Sequence, residues 1–242
     1  MAIIYNCSQP TRGVVNDGLI FYIHPSLKDS YSGYGNDIYD LVDGQQCTMN
    51  GSMIVDQKNE CFVFDGSNDW IDTNRQYIDD GTYSLSSSTD DYTLEAWIYV
   101  ETSQGTTTNA DSIIGSQGSY GVGMQVGING SVPRVNHGAR STSNFYSGNL
   151  SYNTWYHVLW AHDTGVSSIV YINGVSNTTS SNSDYTINSS SSNWGNMTIG
   201  NSSSRISGYF DGKMGPIRMY NRALNATEVL RNFNASAARY GY

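Results

Sequence analysis

The chain has 242 residues and a formal net charge of −9; 14% of residues are charged, 38% are hydrophobic and 19 are tyrosine. A composition this aromatic and this weakly charged excludes a disordered tail. The 12 Lys and Arg are scattered, so there is no basic stripe for nucleic acid, and no run approaches the roughly 20 apolar residues of a bilayer span.

Met1 to Asn16 shows no sustained pattern and reads as an N-terminal arm, residues 1–16, ahead of one domain over 17–242. "MAIIYNCSQPTRG" carries no basic n-region and too short an apolar run for a signal peptide, so synthesis in a cytoplasm is expected. "GLIFYIH" then alternates, with Leu19, Phe21 and Ile23 on one face and Ile20, Tyr22 and His24 on the other. "CFVFDG" pairs Phe62 with Phe64 and ends in the turn dipeptide Asp65-Gly66. "YTLEAWIYV" sets Leu94, Ala96, Ile98 and Val100 against Glu95, Trp97 and Tyr99. "GVGMQVGI" places Val122, Met124, Val126 and Ile128 together, and its Gly121, Gly123 and Gly127 share the other face, an opening for close approach of another backbone or of a partner. "TWYHVLWAHD" and "SSIVYING" read as consecutive strands, and "MTIGN" and "GPIRMY" complete the set. Short strands separated by Asn129-Gly130, Asn173-Gly174 and Asp211-Gly212 predict an all-β, two-sheet antiparallel jelly-roll sandwich.

Between Ser176 and Asn193 the Ser/Asn-rich tract reads either as a long loop or as a hairpin around Tyr185 and Ile187. Near the end, Asn225 with Glu228 three residues on predicts a capped short helix around Ala226 to Asn232, its apolar stripe formed by Val229, Leu230 and Phe233. The cysteines, Cys7, Cys47 and Cys61, are odd in number and lack CxxC spacing; Cys61 lies in an apolar strand pattern and reads as a small buried residue.

"CFVFDGSNDWIDT", "YTLEAWIYV", "NTWYHVLWAHD", "IVYINGV" and "FDGKMGPIRMYNRALNATEVLRNF" occur in the order seen in LamG-like jelly-roll domains. Over Asp17 to Phe233 the chain therefore resembles the concanavalin A-like lectin/glucanase superfamily, which implies two large antiparallel sheets packed face to face. "GLIFYIHPSLKDSYSGYGNDIYDLVDGQ" and "NFNASAARYGY" are similar to LamG-like virion structural proteins of tailed bacteriophages, including phages of cyanobacteria. That likeness implies a non-enzymatic capsid decoration or external appendage protein. It would sit on the outer surface of the virion, with other virion proteins as partners and copies of itself as neighbours. Apart from that likeness, the arm's apolar, β-prone start "MAIIY" is expected to contact a neighbouring subunit or the capsid, the alternative being an extra strand on its own domain. The alternative to a virion role is a lectin or adhesin module contacting host surface glycans; a glycan-degrading enzyme is a third reading.

Glycoside hydrolysis with retention needs two carboxylates about 5–5.5 Å apart. Glu95 and Glu101 are the best strand-borne candidates, and their separation of six puts them about 20 Å apart, so no catalytic residue is assigned. His157 and His162 have odd spacing and fall on opposite faces. The resemblance implies a structural calcium held by an Asp just before the last strand, but here Gly215 occupies that position, in Met214-Gly215-Pro216. No cofactor is expected beyond a weak calcium held by Asp211 or a backbone carbonyl. Pro216, which cannot donate to a ladder, suggests a strand start or edge. Trp70, Tyr146 and Trp194 are the candidate glycan contacts, against the plainer reading that large aromatics fill the core.

Overall fold

The computed structural model describes residues 13–76, 91–102, 111–116, 123–129, 132–138, 145–163, 166–180, 196–201 and 208–242. Its strands are β1 (Leu19–Ile23), β2 (Asp37–Tyr39), β3 (Gln46–Asn50), β4 (Ile54–Asp56), β5 (Cys61–Asp65), β6 (Trp70–Gln76), β7 (Tyr92–Thr102) and β8 (Asp111–Ser116). They continue with β9 (Gly123–Asn129), β10 (Val132–Gly138), β11 (Phe145–Tyr146), β12 (Trp155–Asp163), β13 (Ser167–Ile172), β14 (Val175–Ser180), β15 (Asn196–Ile199) and β16 (Asp211–Tyr220). Helix α1 (Ala226–Ser236) and a 3-10 turn (Ala237–Tyr240) follow.

The strands form two antiparallel sheets. Sheet A runs β14-β13-β12-β7-β16-β5-β4, with β1 also paired to β16; sheet B runs β11-β10-β9-β8-β15-β6-β3-β2. Their inner faces meet in one core, to which β7 contributes Leu94, Ala96, Ile98 and Val100, β5 Phe62 and Phe64, and β12 Val158 and Trp160. The alternation read in β7 is thus the alternation observed. Burial of such side chains stabilises by about 1.5–3 kcal/mol each.

Sheet A is also covered on its outer face. There Leu159, Ala161, Tyr171 and Tyr220 pack under Val15, Leu224 and Val229. The N-terminus of α1 is built as expected: Asn225 Oδ1 accepts from the Thr227 and Glu228 N–H groups, and the Glu228 carboxylate accepts from Asn225 N–H. The helix runs four residues beyond the expected end. Its sheet-facing stripe also differs from the expectation, since Leu230 is 45% exposed while Asn232 is fully buried. Positions 229, 232, 233 and 236 face the sheet, a spacing of three and four.

Among the described residues, β1 and β16 depart from the expected alternation at register shifts. In β1 the register with β16 shifts between Leu19 and Phe21. Leu19 therefore joins the outer cluster while Ile20, Phe21 and Ile23 enter the core, correcting the expected phase. In β16 the register with β7 shifts between Met214 and Ile217. Pro216 lies inside the strand rather than at its start or edge. It is tolerated because β16 changes neighbour there, pairing with β5 over Asp211–Met214 and with β1 over Ile217–Tyr220. Its missing N–H costs no ladder bond.

Met1 to Arg12, with Cys7, lie outside the described residues, as does most of the Ser/Asn tract, whose first residues form β14. Val14 and Val15, at the end of the stretch read as an arm, are buried against the domain. Val15 N–H donates to Asn232 Oδ1 at 2.8 Å, and Tyr220 OH donates to the Val15 carbonyl at 3.2 Å. Cys47 and Cys61 are buried free thiols. At Gly123 a Cβ would lie 2.6 Å from the Ile114 carbonyl, so the close backbone approach expected there is made by β8. Among the described residues no helix is long and apolar enough to cross a membrane.

Candidate functional site

Two surfaces carry functional-looking chemistry. The first lies beneath α1. Glu95 extends from β7 to the outer face of sheet A with no solvent exposure. Its Oε1 meets Arg218 Nη1 at 2.5 Å and His157 Nε2 at 3.0 Å, and its Oε2 accepts from Asn232 Nδ2 at 2.7 Å. An ionised carboxylate only accepts, so the His157 Nε2 carries the proton. Asn232 Nδ2 also reaches Tyr220 OH at 2.9 Å, and the Arg218 guanidinium lies over the Tyr22 ring at 4.6 Å. Burial alone would raise the Glu95 pKa; the Arg218 charge, then His157 and Asn232, outweigh it and bring it to about 2. Burial, then Arg218 and Arg239, lowers His24 to about 3.

This cluster is a bolt joining sheet, helix and N-terminal segment. The two glutamates weighed as hydrolase carboxylates serve separate ion pairs: Glu101 sits near the end of β7, 2.7 Å from Lys213 Nζ. His162 faces the other side of β12 from His157, bonded to Ser168 Oγ at 2.7 Å. Asn232 escaped the sequence reading because an amide on a helix reads as solvent-facing. The signal that finds it is Glu95 itself, a charge amid a buried strand that demands partners.

The metal position implied by resemblance does not fit a cation. A Cβ on Gly215 would stand 2.3 Å from Tyr240 OH and 3.0 Å from Trp97 Cβ. Gly215 makes room for the C-terminal turn, where Tyr240 stacks on Trp97 with ring centroids 4.3 Å apart. Asp211 accepts from Thr102 Oγ1, and among the described residues no three His, Cys, Asp or Glu are grouped to hold a metal. Gly215→Asp is therefore expected to lower stability by about 1–3 kcal/mol through overpacking. Thermal melting with and without calcium checks this: restoration by calcium would show a competent ion site.

The second surface is the outer face of sheet B. Cys47 and Met49 of β3 turn into the core, and Ile38, Ile71, Met197 and Ile199 do so from β2, β6 and β15. By alternation Asp37 and Tyr39, Gln46, Thr48 and Asn50, Trp70, Asp72 and Asn74, and Asn196 lie outward. The register places Asp37 opposite Thr48, Thr48 opposite Asp72, and Asn50 opposite Trp70. These side chains are tied to one another. Asp72 Oδ1 accepts from Asn74 N–H at 2.7 Å and from Asn196 Nδ2 at 2.9 Å; Asn74 Nδ2 donates to the Gln46 carbonyl at 3.1 Å. Asn74 holds φ of +54°, a left-handed conformation that Asn tolerates and that such bonding fixes. The corner beside Trp70 is braced as well. Asp69, 3% exposed, accepts from Ser52 N–H at 2.8 Å, and Asp65 Oδ1 accepts from Ser67 N–H at 2.8 Å.

Trp70 thus stands half-buried on a polar, cross-linked face. Tyr146 lies on β11, five strand spacings away in sheet B, roughly 24 Å. The structure does not bring these two candidates together, and Trp194 lies outside the described residues. The polar face itself was missed in the sequence, although Gln46, Thr48 and Asn50 alternate with Cys47 and Met49.

Two face-packed antiparallel sheets, one bolted by a terminal helix and one with a polar outer face, define a concanavalin A-like jelly-roll sandwich. The chain belongs to the Laminin_G_3 family of the Concanavalin A-like lectin/glucanases superfamily, whose model matches residues 65–230. No curated protein sequence matches it. Among solved structures it is similar to a Trypanosoma rangeli sialidase in complex with 2,3-difluorosialic acid, with TM-score 0.63 and 14% identity over 93% of this chain and 34% of that one. It is also similar to domain 4 of AbnA, an extracellular arabinanase of Geobacillus stearothermophilus, in complex with arabinotriose (TM-score 0.60, 18% identity, 88% of this chain, 96% of that one). A third is the receptor binding domain of botulinum neurotoxin C/D mosaic serotype (TM-score 0.61, 15% identity, 91% and 52%). The chain spans about a third of the sialidase chain. At these identities the likeness is one of fold.

Proposed function

We propose that this chain is a carbohydrate-binding, lectin-type module whose ligand lies on the outer face of sheet B. The observation that carries the reading is Trp70 standing half-buried among amides, hydroxyls and carboxylates already held in place by one another. An aromatic face accepts the C–H face of a sugar ring, and fixed polar groups read its hydroxyls. Pre-bonding also reduces the entropy lost on binding. The sialidase and arabinanase neighbours, whose structures hold sialic acid derivatives and arabinotriose, support a sugar as ligand class. Glycan-array screening followed by titration calorimetry tests it. Trp70→Ala is expected to weaken the best ligand by tenfold or more, about 1.4 kcal/mol, with the melting temperature little changed. Unchanged affinity in that variant removes Trp70 from the site.

A virion setting is the second reading, supported by the likeness of residues 18–45 and 232–242 to tailed-phage structural proteins. In it the module is a non-enzymatic part of the particle surface, displaying its glycan face toward a host and touching other virion proteins. Mass-spectrometric inventory of purified particles tests it; a particle without this chain ends that reading.

A further inference from the structure

We infer that the outer face of sheet B selects neutral glycans and rejects those carrying a carboxylate, such as sialylated or uronic-acid chains. The inference rests on the reading of that face as a glycan site, and it names the ligand class. Between β2 and β15, the charged side chains among the described outward positions are two carboxylates, Asp37 and Asp72. They stand in one cross-strand row, Asp37 opposite Thr48 and Thr48 opposite Asp72, two spacings or roughly 10 Å apart. That is about one screening length at physiological salt, so a ligand laid between them feels both charges.

The neighbouring cation does not offset them. Arg75 follows Asp72 by three residues but is turned away and 6% exposed, held by Asp40 Oδ2 at 3.0 Å and by Asp43. Arg134, the described cation nearest along the outer face, lies on β10, four spacings from β6, roughly 19 Å and beyond the screening length.

Hydrogen-bond chemistry points the same way as charge. Both bonds to Asp72 from the described residues go to Oδ1, leaving Oδ2 to accept from a ligand. Asp37 Oδ1 accepts from Gln46 Nε2 at 2.8 Å, and it too remains an acceptor group. An ionised carboxylate only accepts, so its ligand must donate. A sugar hydroxyl donates; a sugar carboxylate does not. The face therefore opposes an anionic sugar twice, by like charge and by acceptor meeting acceptor. Fold likeness to a sialidase does not carry that enzyme's ligand to this face.

The test is an array of matched glycan pairs, each a neutral chain and the same chain capped with sialic acid or glucuronate, with the best pair taken to calorimetry. The neutral member is expected to bind at least about tenfold tighter. Raising salt to about 0.5 M should narrow the gap in the unmodified protein, and Asp37→Asn/Asp72→Asn should narrow it further. Equal or tighter binding of the acidic members overturns the inference while leaving the glycan reading intact, as does a gap unmoved by both salt and the double substitution. If neither member of any pair binds, the glycan reading fails and this inference falls with it.

Discussion

Arg218→Met is expected to destabilise the fold by about 3–5 kcal/mol, because it strips Glu95 of its countercharge where water cannot replace it. Glu95 has no solvent exposure, and the remaining donors, His157 and Asn232, supply hydrogen bonds without the adjacent guanidinium. For a chain of this length that loss corresponds to a fall in melting temperature of roughly 10 °C. Urea unfolding monitored by tryptophan fluorescence reads it directly. The double variant Arg218→Met/Glu95→Leu is expected to recover most of the loss, since an apolar pair of similar size removes both charges together. A single-variant cost under about 1 kcal/mol would mean that Glu95 is not sealed as described.

Acid should act on the same bolt. Glu95 ionises at about 2 when folded against an ordinary 4.5, so the folded state holds its proton less tightly than the unfolded chain does. Its stabilisation is complete above pH 4.5 and is lost as pH falls toward 2, about 3 kcal/mol in all. His24, held down to about 3 against 6.5, behaves in the same direction over a higher window: below pH 6.5 the unfolded chain takes up a proton that the folded one refuses. The His24 contribution should therefore decline from near pH 6.5 and the Glu95 contribution below 4.5, while Asp40, raised by burial to about 7, works the other way and favours the folded state as pH falls from 7 toward 3.8. His24→Gln should flatten the upper limb and leave the lower one. An upper limb unchanged in His24→Gln would contradict the His24 assignment.

What the sequence disclosed follows physical lines. β7 was readable because one face is uniformly aliphatic and the other interrupted by Glu95, and the cap at Asn225 was readable because its chemistry is local. Two kinds of feature were not. Bulges at Leu19–Phe21 and at Gly215-Pro216 rephase a strand through tertiary pairing, which a period-two pattern does not encode. The second kind is the polar strand: in "QCTMN" and "WIDTNRQ" the outward residues other than Trp70 are amides, hydroxyls and carboxylates, so the segments look like loops although Cys47, Met49 and Ile71 turn inward. Of the proposed glycan residues, Trp70 stood out in the sequence by size alone. Its companions Thr48, Asn50 and Asp72 acquire meaning once the register of β3 and β6 sets them side by side. Asn232 shows the same dependence, for its significance comes from Glu95, 137 positions away.

The first described residue rests on α1, which covers the outer face of sheet A, and the last rests on that face itself. Gly13 accepts from Arg231 Nε of α1 at 2.9 Å, and Tyr242 donates to the Trp155 carbonyl at 2.5 Å. Sheet B's outer face looks the opposite way. A tag, sensor surface or fusion partner joined through either of these residues would thus hold the protein by its back and leave the Trp70 side open to the medium.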